Sequence, residues 1–392
     1  MSLRRDSKAL RREIPEPLPL FVFEDQIQVH PAHSFFKPLP HIPHLEAQEE
    51  DVKDCIYSGA DVFNVRETVG LSSKLTRCLE EREKKEQSCF TLVYKRLRSR
   101  TELSYEKSYA SEKYLDFSSE FESGNLERAE AIHPRHYQDL NRASSSSSSS
   151  FDGGINHASP LLPRVDEEYD LYLLNDINTR GNTQWYYFKA SNISCKRFPL
   201  KVRFNIRNLR KRKSLYLVGK KPVVYRCGQS DGWRHGGDDI CYYRNGTFYT
   251  LSFTFSFDTV EEIYFASCFP YTYTQLQKYL FSLEKDERVV KILRRRSLCS
   301  SLGNNRVELL TISAAIQAQA FESREKKPAV VISARVHPGE SNSSYAMEGI
   351  IRFLTSDRPE AKLLREAYTF KLLPMLNPDG VIDGATLFFI SL

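Results

Sequence analysis

Ala329-Val-Val-Ile-Ser-Ala334, followed directly by Arg335-Val-His-Pro-Gly-Glu340, is the stretch that decides the fold of its surroundings. Its first half is a short, dense apolar run, which is typical of a buried strand in a parallel sheet. Its second half places Pro338 and Gly339 between that strand and a predicted amphipathic helix, Ser343 to Leu354. Ligands of open α/β sheets bind at this position, beyond the carboxyl end of a strand. The stretch therefore predicts an α/β region with a site at the end of the strand.

Strands and helices continue to alternate on both sides of that stretch. The further predicted elements are helix Thr274–Leu283, strand Val307–Ser313, helix Glu360–Ala367 and strand Phe370–Leu376. This alternation predicts the opening of an α/β domain with a parallel or mixed sheet.

The region between Asp166 and Pro270 has a different texture, with short apolar and aromatic runs separated by turn residues. In Phe248-Tyr-Thr-Leu-Ser-Phe-Thr-Phe-Ser-Phe257, apolar residues alternate with Ser and Thr, and Arg244-Asn-Gly-Thr before it signals a tight turn. The other predicted strands are Tyr169–Leu174, Gln184–Ala190, Leu200–Ile206, Pro222–Tyr225 and Glu262–Ser267. Such a series of short strands predicts an all-β sandwich.

The chain is therefore predicted to be multidomain, with an N-terminal β-sandwich followed by the first part of an α/β domain. Residues 1–115 carry Pro clusters and are expected to be mostly irregular. Residues 116–270 form the sandwich, with a Ser-rich flexible insertion at about 130–163 that includes the serine run Ser144 to Ser150. Residues 271–392 form the partial α/β domain.

The composition favours an intracellular protein. No run approaches the roughly eighteen consecutive apolar residues of a membrane-spanning helix. The N-terminus lacks the apolar segment of a secretory signal. The eight cysteines contain no Cys-x-x-Cys pair, as expected for free thiols in a reducing compartment.

His337 and Glu340 are the candidate metal ligands. A neutral imidazole and a carboxylate both suit Zn²⁺ at about 2.0 to 2.2 Å, and the turn between them lets ligands three residues apart converge on one ion. The alternative is a solvated loop that happens to contain His and Glu. The position after a buried strand favours the metal site, as does a second loop, Asn377-Pro-Asp-Gly-Val381, after the next predicted strand.

Five segments together resemble a known family. His337-Pro-Gly-Glu-Ser341 and Pro374-Met-Leu-Asn-Pro-Asp-Gly-Val-Ile382 resemble the zinc carboxypeptidase superfamily, and its cytosolic carboxypeptidase branch in particular. Phe121-Glu-Ser-Gly-Asn-Leu126, Thr183-Gln-Trp-Tyr-Tyr-Phe188 and Cys268-Phe-Pro-Tyr-Thr-Tyr-Thr274 resemble the β-sandwich domain that precedes the catalytic domain in that branch.

The resemblance implies a hydrolase that removes C-terminal residues, typically glutamates, from protein tails and side chains, with tubulin as the best-known substrate. His337 and Glu340 would be the first two ligands of one Zn²⁺ per complete site, where a water is activated beside a carboxylate base and an arginine holds the substrate's terminal carboxylate. Expected partners are polyglutamylated tails of tubulin or microtubules, with neither nucleic acid nor membrane. The expected location is the cytoplasm, in association with the cytoskeleton or the cilium.

The sequence departs from the family pattern after Ile382. The pattern continues with Asn-x-Arg at positions that hold Ala385 and Leu387 here, and no histidine follows His337. The third zinc ligand, the substrate-binding arginine and the late catalytic glutamate therefore have no counterpart. We expect a truncated chain that is inactive alone, and its catalytic and substrate-binding residues stay unassigned.

Two other functions remain open. The basic stretch Arg207-Asn-Leu-Arg-Lys-Arg-Lys213 lies in a segment, Ala190 to Arg226, with twelve Lys or Arg and no Asp or Glu. It could make the sandwich a non-catalytic module that binds tubulin or another acidic partner, or it could be only a solvated strand edge. Small-molecule deacylases related to carboxypeptidases share the His-x-x-Glu loop, although the sandwich-type segments argue against them.

Four further features are expected to be structural. Arg294-Arg-Arg296 is interpreted as a surface run and His235 as a loop histidine. Glu348 is expected to be an exposed carboxylate on a helix. Trp185 is expected to lie in the core of the sandwich.

Overall fold

Three β-sheets organise the part of the chain that the structure, a computed structural model, describes. The described residues are 75–81, 90–96, 114–132, 163–176, 182–191, 198–227, 232–314 and 327–386. Their strands are β1 Phe90–Lys95, β2 Asp116–Ser118, β3 Arg128–Ile132, β4 Glu167–Tyr172, β5 Tyr187–Ser191, β6 Leu200–Leu209, β7 Val223–Arg226, β8 Arg234–His235, β9 Asp238–Asn245, β10 Phe248–Phe257, β11 Glu262–Ala266, β12 Leu293–Ser300, β13 Arg306–Ile312, β14 Ala329–Ser333 and β15 Thr369–Leu373.

The first two sheets share one hydrophobic core. One sheet has the order β1-β3-β4-β6-β10-β9 and the other β2-β5-β11-β7-β8. Phe204 of the first sheet lies at their meeting point, with its ring centroid 5.2 Å from Phe265 and 6.2 Å from Phe117, both of the second sheet. The residues predicted to form the sandwich fall in these two sheets.

Strand β10 is confirmed over its whole predicted length, Phe248–Phe257. Its aromatic face packs into the shared core, as predicted. The Ser and Thr face is also buried at Ser252 and Thr254, and Thr254 donates a hydrogen bond of 2.8 Å to Asp239. The tight turn before β10 is confirmed as well, because Gly246 has a φ of 59°.

The sheet begins upstream of the predicted boundary at residue 116. Strand β1 lies within residues 1–115 and pairs with β3 in antiparallel register. Strand β3, Arg128–Ile132, also overlaps the start of the segment predicted as a flexible insertion at about 130–163. Residues 1–74 and 133–162, which include Ser144–Ser150, lie outside the described residues.

The third sheet is mixed, in agreement with the α/β prediction. Its order is β12-β13-β15-β14, and the pair β14 and β15 is parallel. Its helices are α1 Tyr273–Glu284, α2 Ser341–Thr355, α3 Pro359–Ala367 and α4 Pro378–Asp383. They share a second core with the sheet, in which Met347 and Ile351 of α2 join Leu310 and Leu372.

One prediction about this region is wrong, and another holds only in part. Strand β14 is not buried, because within the described residues it pairs only with β15 and Val331 is 59% exposed. The predicted surface run is confirmed for Arg294 and Arg296, which are exposed, but Arg295 is largely covered on β12, with its guanidinium 2.8 Å from Glu308 and 3.0 Å from Glu284. In both cases the burial of the side chains depends on which strand lies beside them in the sheet. An apolar run or an arginine run in the sequence does not show which strand that is.

No helix in the described part of the chain is long and apolar enough to cross a membrane.

Candidate metal centre

The two predicted loops meet at the carboxyl ends of β14 and β15. Because these strands are parallel neighbours, their carboxyl ends lie at one edge of the sheet. The backbone N–H of Asn377 donates to the carbonyl of Arg335 at 3.2 Å. Gly380 approaches Pro338 so closely that an added Cβ would lie 2.4 Å from the proline ring. The loop of His337 and Glu340 is thus packed against the loop that follows β15.

His337 and Glu340 are both exposed at the start of α2. The backbone N–H of Glu340 donates to the carbonyl of His337 at 3.1 Å, which closes the turn between them. With the described residues, neither side chain makes a hydrogen bond or an ion pair. The imidazole and the carboxylate therefore keep their donor atoms available for a metal ion.

A third ligand is not found among the residues that the structure describes. No group of three or more His, Cys, Asp or Glu side chains there is placed to hold a metal ion. His235 lies on the short strand β8, exposed, with its ring 5.4 Å from Phe269. His337 and Glu340 fit zinc by their chemistry, and they supply two of the three protein ligands that a catalytic zinc site normally has.

Arg335 fixes the loop from inside. Its side chain is 2% exposed, and it donates to the carbonyls of Pro338 at 2.8 Å and Tyr271 at 2.9 Å and to the hydroxyl of Ser344 at 2.8 Å. Burial lowers the pKa of the Arg335 guanidinium to about 10. Its backbone has a φ of 57°, a left-handed conformation that is unfavourable for a residue with a side chain. The three hydrogen bonds offset that strain.

The segment Cys268–Thr274 holds the first turn of α2, next to Glu340. Ser341 donates to the carbonyl of Phe269 at 2.6 Å, and Tyr345 donates to that of Pro270 at 2.8 Å. The hydroxyl of Ser341 also lies 3.1 Å from the sulfur of Cys268. Because Arg335 reaches Tyr271 of the same segment, the residues before and after Glu340 are both anchored to it.

The segment Phe121–Leu126 anchors the loop that follows β15. The hydroxyl of Ser123 donates to the carbonyl of Val381 at 2.6 Å, and the side-chain amide of Asn125 donates to that of Gly384 at 3.0 Å. Gly384 has a φ of 75°, and an added Cβ there would lie 2.5 Å from the carbonyl oxygen of Gly124. Only glycine can adopt this positive φ and approach the carbonyl of Gly124 this closely without strain.

The segment Thr183–Phe188 completes the anchoring through Thr386. The hydroxyl of Thr386 accepts hydrogen bonds from the backbone N–H groups of Gln184 at 3.1 Å and Trp185 at 3.0 Å. The carbonyl of Thr386 accepts one from Gly339 at 3.2 Å. Residues 182–186 are therefore linked to the turn between His337 and Glu340 through one residue.

Trp185 and Glu348 have roles that differ from the predicted ones. Trp185 is buried at this junction, where its indole N–H donates to the carbonyl of Ser123 at 2.8 Å. Glu348 is partly buried. It accepts a hydrogen bond from the hydroxyl of Tyr271 at 3.1 Å and forms an ion pair with Arg352 at 2.8 Å. Both side chains contact residues distant in sequence, which local patterns did not indicate.

Asp379 connects α4 to the turn between β12 and β13. It accepts hydrogen bonds from Ser301 at 2.5 Å, from the backbone of Gly303 at 2.7 Å and from Asn305 at 2.7 Å. Burial raises the pKa of its carboxyl group, but the three hydrogen bonds together lower that pKa by more than burial raises it. The pKa of Asp379 therefore lies below its ordinary value. The second loop is thus fixed on its other side as well.

The described residues combine a mixed sheet with an exposed His337 and Glu340 after β14, backed by the loop that follows β15. Residues 279–386 match the family model described as zinc carboxypeptidase. The chain is a homologue of the cytosolic carboxypeptidases. It is 41% identical to cytosolic carboxypeptidase 2 of Homo sapiens over 282 residues, which are 69% of this chain and 27% of that protein.

Other relatives and a solved structure are also similar to this chain. Cytosolic carboxypeptidase 3 of Mus musculus is 41% identical over 56% of this chain and 22% of that protein. Cytosolic carboxypeptidase 1 of Gallus gallus is 34% identical over 69% of this chain and 21% of that protein. A putative carboxypeptidase A from Shewanella denitrificans has a TM-score of 0.48 and 20% identity, over 69% of this chain and 57% of that chain. The chain spans about a quarter of the length of the curated relatives it matches.

Proposed function

We propose that this chain contributes His337 and Glu340 to the zinc centre of a metallocarboxypeptidase. The observation that carries the proposal is that both side chains are exposed and make no bond to another described residue, on a loop whose backbone and flanking residues are hydrogen-bonded to three distant segments. Because the backbone of the loop is fixed by these bonds, mainly the two side chains lose conformational freedom when they bind a metal ion.

The chain's own groups have separate tasks in this proposal. His337 and Glu340 donate a nitrogen and an oxygen to the ion, which when bound supplies Lewis acidity toward a peptide carbonyl and a water. Arg335 and the segment Cys268–Thr274 orient those two donors. Two protein ligands hold zinc weakly, so a complete site takes a third ligand from residues outside the described part or from sequence beyond this chain.

For the substrate, we propose glutamate residues at the ends of protein tails and side chains, such as the polyglutamylated tails of tubulin on microtubules. Support for this substrate comes from the family resemblance of five segments. The names of the relatives support a carboxypeptidase and a cytoplasmic location. A position near the cytoskeleton or cilium is part of the same proposal and follows from the proposed substrate. In the same proposal, the two sheets with a shared core form a β-sandwich domain that precedes the catalytic domain.

Zinc titration of the 392-residue chain tests the metal ligands. We expect weak binding that is lost in His337→Ala and in Glu340→Ala, because each change removes one of two donors. His235→Ala and Glu360→Ala are the matched controls, since these are also exposed and lie on other elements. Binding that survives both ligand substitutions, or that His235→Ala removes equally, would contradict the assignment.

A chimera tests whether this segment can serve in glutamate release. Residues 117–382 would replace the matching segment of human cytosolic carboxypeptidase 2, and glutamate release from a polyglutamylated tail peptide would be measured with and without a chelator. We expect chelator-sensitive release that falls by at least about 100-fold with His337→Ala. A folded chimera that releases no glutamate, or that releases it equally well after His337→Ala, would contradict the proposal.

A further inference from the structure

The turn between β6 and β7 carries a concentrated positive charge. We call residues Arg210–Lys221 the basic turn. Its first four residues, Arg210–Lys213, are all cationic and all exposed. None of these four makes an ion pair with a described residue. By contrast, Lys201 and Lys221 lie 3.4 Å from Asp239 and Asp238 respectively, so their charges are partly neutralised.

The same turn exposes aliphatic side chains. Its short 3₁₀ helix, Leu215–Val218, leaves Leu215 65%, Leu217 48% and Val218 62% exposed. Large aliphatic groups that lie together on a surface are a mark of protein interaction sites. Positive charge and apolar surface therefore occur within nine successive positions.

The basic turn is held rigidly against the sheets. Tyr216 is buried, and its hydroxyl lies 2.6 Å from that of Tyr186. Ser214 caps the 3₁₀ helix, and Gly219 ends it in the left-handed conformation, with a φ of 94°. A partner that binds this turn has little loop entropy to overcome.

A cleft of about 590 Å³ lies beside the turn. Its lining includes Arg212, Leu217, Tyr242, Arg244, Tyr249 and Glu80. The rings of Tyr242 and Tyr249 are stacked, with centroids 5.6 Å apart and planes 4° apart. The cleft thus offers two guanidinium groups against one carboxylate, together with an apolar wall.

We propose that the basic turn and this cleft bind an acidic segment of a partner protein in which an apolar residue lies among aspartates or glutamates. The carboxylates pair with Arg210–Lys213 and Arg244, and the apolar residue packs on Leu217 and the tyrosine pair. A nucleic acid would leave the aliphatic groups without a counterpart, and a flat bilayer would not fill a concave cleft. The surface shares no residue with the loop of His337 and Glu340, so the proposal does not rest on carboxypeptidase activity.

Fluorescence anisotropy with synthetic peptides tests this surface. The probe is a labelled peptide of about twelve residues that alternates Glu pairs with Leu. The full chain is titrated at low salt in the presence of a chelator, so that the zinc site plays no part. We expect saturable binding that weakens when Leu is replaced by Ser, when Glu is replaced by Gln, and when salt is raised to screen the charges.

Protein variants locate the site. Lys211→Glu/Arg212→Glu is expected to weaken binding by at least about tenfold. Leu217→Ser should weaken it severalfold with little change in melting temperature, because about half of Leu217 is exposed. The matched control for charge is Lys278→Glu/Arg294→Glu, which reverses two exposed cations on α1 and β12. His337→Ala and Glu340→Ala should leave peptide binding unchanged.

Three results would overturn the proposal. Equal loss in the control double variant would show that only net charge matters. Equal affinity for the Ser-containing peptide, with no effect of Leu217→Ser, would show that apolar contacts contribute nothing to binding. Tighter binding to a single-stranded oligonucleotide or to anionic phosphatidylserine vesicles would assign the surface to nucleic acid or membrane instead.

Discussion

The loops after β14 and β15 lie at the same edge of one sheet, yet they present opposite kinds of side chain. The first exposes His337 and Glu340, which have no partner among the described residues. The second turns Asn377 inward, where it caps α4, and uses Asp379 to bind a neighbouring turn. A position at the end of a strand therefore does not by itself give a residue a chemical role. Under the proposed function, one loop presents the two candidate ligands and the other supports that loop.

The supporting contacts come from far away in the sequence. Ser123 and Val381, which form a direct hydrogen bond, are 258 positions apart. If this difference between the loops is correct, substitutions of the residues that anchor the loops should lower the stability of the fold. Substitutions of His337 and Glu340 should not.

The largest loss of stability is expected for Asn125→Ala. Asn125 is buried, donates to the carbonyls of Trp185 and Gly384, both at 3.0 Å, and accepts from the backbone of Leu174 at 2.8 Å. Its removal leaves these buried groups unpaired, so we expect the free energy of unfolding to fall by about 3 kcal/mol in denaturant titrations. Asn342→Ala, an exposed change on α2, is the control. Equal effects of the two would mean that Asn125 does not anchor the second loop.

A smaller loss, about 2 kcal/mol, is expected for Arg335→Met. The variant keeps most of the apolar contacts but removes the three donors that bind Pro338, Tyr271 and Ser344. Arg335→Lys should recover part of the loss, because one ammonium group can still reach some of these acceptors. The exposed Arg294→Met serves as the control, and an Arg335→Met chain as stable as that control would contradict the role of Arg335.

Asp379→Asn is expected to cost about 1 kcal/mol at neutral pH, since partial exposure weakens its hydrogen bonds. The pKa of the Asp379 carboxyl group is lowered from 3.8 in the folded chain, so its stabilisation is present above that value. It is lost as the pH falls through the lowered pKa. The difference in unfolding free energy between wild type and Asp379→Asn should therefore narrow below about pH 4. A constant difference from pH 7 to pH 3 would show that the charge of Asp379 contributes nothing.

The smallest effects are expected for His337→Ala and Glu340→Ala. Both side chains are exposed and bond to no described residue, so each change should alter the unfolding free energy by less than about 0.5 kcal/mol. Differential scanning calorimetry of the metal-free proteins measures this. A loss of more than about 1 kcal/mol in either variant would mean that the side chain supports the loop, and the contrast between the two loops would fail.

The elements of the fold that follow a local pattern could be predicted from the sequence. Strand β10 matches its prediction because apolar and polar residues alternate along it and an Asn-Gly turn precedes it. Helix α2 was expected from its amphipathic period, although it starts two residues earlier than predicted. Strand β12 was missed because its three successive arginines resemble a solvated run, whereas Arg295 pairs across the sheet with Glu308.

For the candidate site, the sequence indicated the two ligands but not what holds them. His337 and Glu340 could be proposed from their position after an apolar run and from a family resemblance. The buried role of Arg335 depends on the segment Cys268–Thr274, and that of Trp185 depends on Ser123 and Thr386. Such long-range pairings leave no local period in a single sequence.

The central claim is that hydrogen bonds within the chain hold the loop of His337 and Glu340 in place, and amide hydrogen exchange of the chelator-treated chain tests it most directly. The N–H of Gly339 donates to the carbonyl of Thr386 at 3.2 Å, and the N–H of Glu340 donates to that of His337 at 3.1 Å. We predict that both amides exchange much more slowly than unstructured peptide, and that Arg335→Met accelerates them while amides in β10 stay protected. Exchange of Gly339 and Glu340 at the rate of an unfolded peptide, slowed only by added zinc, would contradict the account.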